Sequence, residues 1–102
     1  MADVSTLIEA VRERATTLSE LGYRVRFDFT DTGETLLLDA TGPELSIETE
    51  AGEADAVLKL STDTLDKLIT GRMGPMLAFS TGRLKVEGSQ GVALKLAGLL
   101  DT

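Results

Sequence analysis

Residues 23–50 read YRVRFDFTDTGETLLLDATGPELSIETE, and the alternation in this stretch decides the fold. Tyr23, Val25, Phe27 and Phe29 fall on one side of an extended chain, and Arg24, Arg26, Asp28 and Thr30 fall on the other. Successive side chains of a strand point to opposite faces, so this is a strand with one buried face. Asp31-Thr32-Gly33-Glu34 makes a turn. A second strand, Thr35 to Thr41, places Leu36, Leu38 and Ala40 on one face, while Leu37 lies opposite. Gly42-Pro43 turns the chain again, and Leu45 and Ile47 alternate with Glu44, Ser46, Glu48 and Glu50 in a third strand. Turns this short join antiparallel neighbours, so the three strands form a meander.

On the N-terminal side, Val4, Leu7, Ile8, Val11, Ala15, Leu18 and Leu21 recur at three- and four-residue steps. That spacing predicts one amphipathic helix over residues 3–21, capped by Asp3 and closed by Gly22. On the C-terminal side, Asp55 to Ser61 is a fourth strand with Ala56, Leu58 and Leu60 inward. Thr62 is placed to cap a following helix, whose apolar face is Leu65, Leu68 and Ile69. Gly71 and Gly74-Pro75 interrupt it, and Pro75 opens a second short helix holding Met76, Leu77 and Phe79. Arg83 to Gly88 is a fifth strand with Leu84 and Val86 buried, and Ser89 to Leu100 is a last helix. Strands and helices are partly segregated. The expected fold is a single α+β domain over residues 1–102, a five-stranded sheet of antiparallel meander plus crossover strands covered on one face by helices.

Composition narrows the function. The 102 residues include no histidine and no cysteine. The commonest neutral-pH general base and the commonest zinc ligands are therefore absent. No nucleophile motif of the Gly-x-Ser-x-Gly kind occurs either. The expectation is no enzyme, no catalytic residue, no metal and no cofactor. The net charge of −7 repels nucleic acid. The charge is uneven: residues 28–66 hold eleven acids and only Lys59, whereas residues 67–102 hold five bases against Glu87 and Asp101. These cations read first as ordinary solvated charges. The chain has no apolar run near the roughly 20 residues of a membrane span, and its N-terminus is unlike a secretory signal, so the cytoplasm is the expected location.

Two features suggest an apolar ligand. In the last helix Val92, Ala93, Leu94, Leu96, Ala97, Leu99 and Leu100 cover most of the circumference, with Lys95 the one charge. A helix apolar all round needs burial on more than one side. Closing over a cavity, forming a homodimer and packing deeply would each provide it. The second feature is the glycine-broken run Leu65, Leu68, Ile69, Met73, Met76, Leu77 and Phe79, which holds two of the three methionines. Methionine suits surfaces that accept varied apolar shapes.

The segment from Ala54 to Leu100 resembles the lipid-binding domain of the sterol carrier protein-2 family. The resemblance is carried by Ala54-Asp55 opening a strand, the helix end Leu68 to Gly71, Pro75 followed by Ala78-Phe79, the run Gly82 to Gly88, and Ala93 with Lys95-Leu96. The N-terminal half matches in element order. The resemblance implies an apolar tunnel between sheet and helices, and non-catalytic binding and transfer of a sterol, fatty acid, acyl-CoA, phospholipid or isoprenoid lipid. It implies tunnel walls from Leu65, Leu68, Ile69, Met73, Met76, Leu77 and Phe79, and from Val92, Leu96, Leu99 and Leu100. Phe27 and Phe29, with Leu36 and Leu38, would face the ligand from the sheet. Transient membrane contact accompanies such a role. The alternatives are an interaction module that dimerises through its last helix, and an accessory carrier for a lipid or quinone biosynthetic enzyme.

Overall fold

The computed structural model describes residues 3–50 and 52–100, apart from the side chain of Leu100. Helices α1 (Val4–Glu13) and α2 (Ala15–Leu18) and a single 3-10 turn (Ser19–Leu21) precede three strands, β1 (Arg24–Phe29), β2 (Thr35–Asp39) and β3 (Ser46–Glu48). Strand β4 (Ala56–Leu60), helices α3 (Thr62–Ile69) and α4 (Pro75–Ser80), strand β5 (Leu84–Gly88) and helix α5 (Gln90–Leu100) complete the order. The sheet runs β3-β2-β1-β4-β5. The meander is antiparallel, β1 and β4 are parallel, and β4 and β5 are antiparallel.

The alternating residues of β1 set the core. Val25, Phe27 and Phe29 are buried, and the two phenylalanine rings stack with centroids 6.5 Å apart. Register places Phe27 beside Leu36 on β2 and Leu58 on β4. Helix residues Leu7, Val11, Leu18, Leu65, Leu68 and Leu96 join the same cluster. The other sheet face is charged: Arg26 pairs with Asp28 at 3.0 Å and Lys59 with Glu87 at 3.3 Å. The two neighbours of Arg26 on that face, Val57 and Leu37, are apolar; Val57 is half-buried, and Leu37 is buried. The segment after β3 covers it: Arg26 Nη1 donates to the Gly52 carbonyl at 3.2 Å, and a Cβ at residue 52 would come within 3.0 Å of Leu37 Cδ2.

Three local expectations are corrected. The first helix is not continuous. It breaks at Arg14, where φ −102 and ψ 13 leave the helical region. The Arg14 guanidinium crosses to donate to the Ile69 carbonyl at 2.9 Å, tying the break to the end of α3. The following Thr16, Thr17 and Ser19 favour helices weakly, which lets the chain re-aim Leu18 and Leu21 into the core. Ser61, not Thr62, caps α3: its backbone is still extended, and its hydroxyl accepts from the Thr64 N–H at 3.1 Å. Tyr23, expected on the buried face, precedes β1 and is exposed, with the Lys95 ammonium 5.6 Å from its ring centroid. Asp3 caps α1 as expected, accepting from the Thr6 N–H at 2.8 Å.

The buried Thr62 instead binds the turn between β1 and β2. Its N–H donates to Asp31 Oδ1 at 3.1 Å and its hydroxyl donates to Asp31 Oδ2. Donation by Thr62 holds the Asp31 carboxyl below its ordinary value of 3.8. The ionised form is thus favoured by folding. Its contribution is complete above 3.8 and fades as pH falls through the lower folded-state value. Asp31→Ala strands the two donors of Thr62 and should destabilise the fold by about 1–2 kcal/mol at neutral pH. Urea titrations across pH check this: the gap between wild type and variant narrows in acid.

Candidate functional site: an apolar cleft between α4, β5 and α5

The site grows from three elements that meet at one edge of the sheet. Pro75 starts α4 at its first turn, where a missing N–H costs nothing. The inward residues of β5 are Leu84 and Val86, set opposite Leu60 and Leu58 of β4. On α5, Ala93 and Ala97 lie one turn apart, and their small side chains leave room that larger ones would fill. The result is a cleft of about 170 Å³ lined by Pro75, Met76, Phe79, Leu84, Val86, Gln90, Ala93, Leu94 and Ala97.

No lining residue is titratable, and Gln90 is the one polar side chain. Such a surface can shed water and accept apolar groups; it offers no acid, base or nucleophile. Among the described residues no cluster of histidine, cysteine or carboxylates is suited to a metal. The carboxylates held below their ordinary values, Asp3, Asp31 and Asp39, owe this first to hydrogen bonds from Thr6, Thr62 and Thr41. None of them lines the cleft.

The cleft is small. It resembles the roughly 150 Å³ of a cavity that takes one benzene, and falls short of the roughly 300–1,000 Å³ of a site enclosing a larger ligand. The expected tunnel is not shown; the structure has an open cleft at this edge of the sheet. Its most loosely held wall is α4, where Ala78 alone is buried and Met76, Leu77 and Phe79 are exposed. A wall with so little buried apolar contact is the part of a fold that opens at least cost.

Of the residues that the sequence suggested, Met76 and Phe79 line the cleft. Leu77 sits beside them on α4 and points away into solvent. Phe27, Phe29, Leu65, Leu68, Ile69, Met73, Val92 and Leu96 are buried in the core behind it. Leu99 packs partly buried against that core, and the Leu100 side chain lies outside the described residues. Leu36 and Leu38 are also core. Pro75, Leu84, Val86, Gln90, Ala93, Leu94 and Ala97 were not anticipated as lining. The signal for the helix residues was the small pair Ala93 and Ala97 at a four-residue step, beside an apolar Leu94 off the core face. The all-round apolar character of α5 also finds its reason: Val92 and Leu96 face the core, while Ala93 and Ala97 back onto the cleft.

Among the described residues no helix is long and apolar enough to cross a membrane. A more open, polar basin lies near the start of α3, lined in part by Lys59, Ser61, Thr64, Arg83 and Lys85. Lys59 is committed to Glu87, and the Ser61 and Thr64 hydroxyls bond each other at 2.9 Å.

Comparison with known proteins places this geometry. The SCP-2 sterol transfer family matches residues 4–101. Hydroxysteroid dehydrogenase-like protein 2 of Bos taurus is 34% identical over 71 residues, which are 68% of this chain and 17% of that protein. The chain thus spans a small part of that relative's length. Among solved structures, apo sterol carrier protein 2 from Yarrowia lipolytica superposes with a TM-score of 0.76 at 24% identity, covering 94% of this chain and 88% of that one. Palmitated SCP2L2 from Aedes aegypti gives a TM-score of 0.76 at 18% identity, covering 99% and 96%. At these identities the structural likenesses establish the fold.

Proposed function

The chain belongs to the SCP-2 sterol transfer family, and from that premise we propose that it is a non-catalytic carrier that holds the apolar tail of a lipid in the cleft between α4, β5 and α5. The observation that carries this reading is the cleft itself: an almost wholly apolar lining without a titratable group, opening beside exposed Met76, Phe79 and Leu94. A tail longer than the cleft enters as α4 swings outward and Phe79 and Met76 close over it. The palmitated relative makes a long-chain fatty acid the first ligand to try. Sterols, acyl-CoA esters, phospholipids and isoprenoid lipids are the other members of the panel.

The energies suit a carrier. Burying about 16 methylenes at about 0.8 kcal/mol each contributes at most about 13 kcal/mol. Lost ligand freedom costs about 4 kcal/mol or more. About 8 or 9 kcal/mol remain, which is micromolar binding or slightly tighter, and such a ligand can also be released. The likeness to one part of a longer dehydrogenase-like protein favours a second, compatible reading, an accessory carrier serving a lipid-modifying enzyme.

Native mass spectrometry of freshly purified protein, followed by organic extraction, tests the proposal. A co-purified lipid near one per chain, or uptake of one from the panel, is the expected result. A clean apo mass with no uptake removes the carrier reading. A concentration-dependent dimer in that lipid-free state would transfer the case to the interaction module.

A further inference from the structure

We infer that the polar basin beside β5 is a second binding site, one that takes the phosphate group of a soluble phosphate monoester through Arg83 and Lys85. The basin has a volume of about 400 Å³, and its lining includes Thr30, Lys59, Ser61, Thr64, Arg83 and Lys85. Three of these side chains are cations, and no carboxylate is among the lining residues. The chain carries a net charge of −7, so cations gathered without acids run against its composition.

The sheet register makes that gathering costly. Lys59 of β4 stands directly opposite Lys85 of β5. Like charges facing each other across a strand pair destabilise it. Glu87 answers Lys59 at 3.3 Å. Lys85 and Arg83 are exposed, and neither side chain has an ion pair or hydrogen bond among the described residues. Strand β5 lies at the edge of the sheet, where a lysine discourages pairing with another chain. That purpose needs a charge on β5, but no second lysine facing it. A bound anion answers both cations at once.

The donors fit a phosphate. Arg83 offers a planar fork to two oxygens, and Lys85 adds a point charge. The Arg83 N–H donates to the Ala78 carbonyl at 2.9 Å, which fixes the entry to β5. The Ser61 and Thr64 hydroxyls bond each other at 2.9 Å, and Ser61 Oγ also accepts from the Thr64 N–H at 3.1 Å. One hydroxyl proton serves that mutual bond, and the other remains for the basin. A phosphate monoester brings nearly two charges and three acceptor oxygens to these donors, where a carboxylate brings one charge and two. The volume lies within the roughly 300–1,000 Å³ of small-molecule sites, so an organic ester fits as well as a bare ion.

The basin is separate from the apolar cleft. Side chains of β5 alternate, so Leu84 and Val86 line the cleft while Arg83 and Lys85 line the basin on the other face. The strand itself stands between a phosphate bound here and a tail held in the cleft. The site is therefore independent of the carrier reading.

Calorimetric titration of the full chain with glycerol 3-phosphate at fixed ionic strength tests this, with acetate as the carboxylate control. One-to-one binding is expected, about tenfold or more tighter than for acetate. Arg83→Gln and Lys85→Gln should each weaken it about tenfold. Lys67→Gln should leave it unchanged, because Lys67 is paired with Asp63 at 3.1 Å and does not line the basin. The probe should also raise the urea midpoint of wild type and not that of the double variant Arg83→Gln/Lys85→Gln. Binding of the neutral apolar dye Nile red reports the cleft, and glycerol 3-phosphate should not displace it. No binding by wild type, or equal binding by the double variant, overturns the site and leaves the carrier reading intact. Binding of dihexanoyl phosphatidic acid but not of glycerol 3-phosphate would also overturn it, because the phosphate would then be the head group of a cleft ligand.

Discussion

Gly88→Ala is expected to destabilise the protein by about 3–5 kcal/mol, in the range of the largest single-residue effects. Residue 88 ends β5 with φ +80, a conformation that costs an L residue about 1–2 kcal/mol. An added Cβ would also sit 2.6 Å from the Asp55 carbonyl oxygen and 3.4 Å from Ala56 Cα. Both contacts are backbone, so no side-chain rotation relieves them. The Ser89 N–H donates to that same Asp55 carbonyl at 2.9 Å, and displacement would break this bond as α5 begins. Gly82→Ala separates the two contributions. Gly82 has φ +77 and nothing within 4 Å of an added Cβ, so it should lose only the conformational part, about 1–2 kcal/mol. Urea denaturation of the two variants measures the difference. Equal losses would show that the close approach to Asp55 contributes nothing.

Phe79→Asp should weaken lipid binding by a hundredfold or more while the protein stays folded. Phe79 is about half exposed and lines the cleft, so the folded chain tolerates a carboxylate there within about 1 kcal/mol. A bound apolar tail would desolvate that carboxylate without a hydrogen-bonding partner, at a cost of several kcal/mol. Leu96→Asp makes the instructive contrast. Leu96 is fully buried in the core, and an unpaired charge there costs an amount comparable to the whole stability of a domain this size. The expected outcome is an unfolded chain. Circular dichroism together with fatty-acid titration distinguishes the two. A folded Phe79→Asp variant with unaltered affinity would move the ligand away from the cleft.

Much of the fold was legible because its signals are local. Alternation in Tyr23 to Glu50 identified a meander, since side-chain direction is a property of the strand itself. The break at Arg14 was not legible, because the bond that accompanies it, to the Ile69 carbonyl, joins residues 55 positions apart. Nor was the capping role of Ser61, because Thr62 beside it has the same capping chemistry; Thr62 was drawn away by Asp31, some 31 positions earlier in the chain. Leu37 looked like a flaw in a polar face until the segment at Gly52 was seen to cover it.

The candidate site divides along the same line. Chemistry alone excluded catalysis by histidine or cysteine, marked 65–79 and 92–100 as apolar beyond ordinary need, and carried the family resemblance. Composition could not assign each apolar residue to core or cleft. Met73 and Met76 are the same residue type three positions apart, yet Met73 is buried and Met76 stands at the rim. A helix of six residues is too short for its periodicity to reveal which side faces the protein. That side is chosen when α4 settles against β5 and α5, where Ala93 and Ala97 are too small to fill the space between them. Residue types and their spacing therefore decide what the chain can bury, while the cleft exists only where packing between distant elements leaves that burial incomplete.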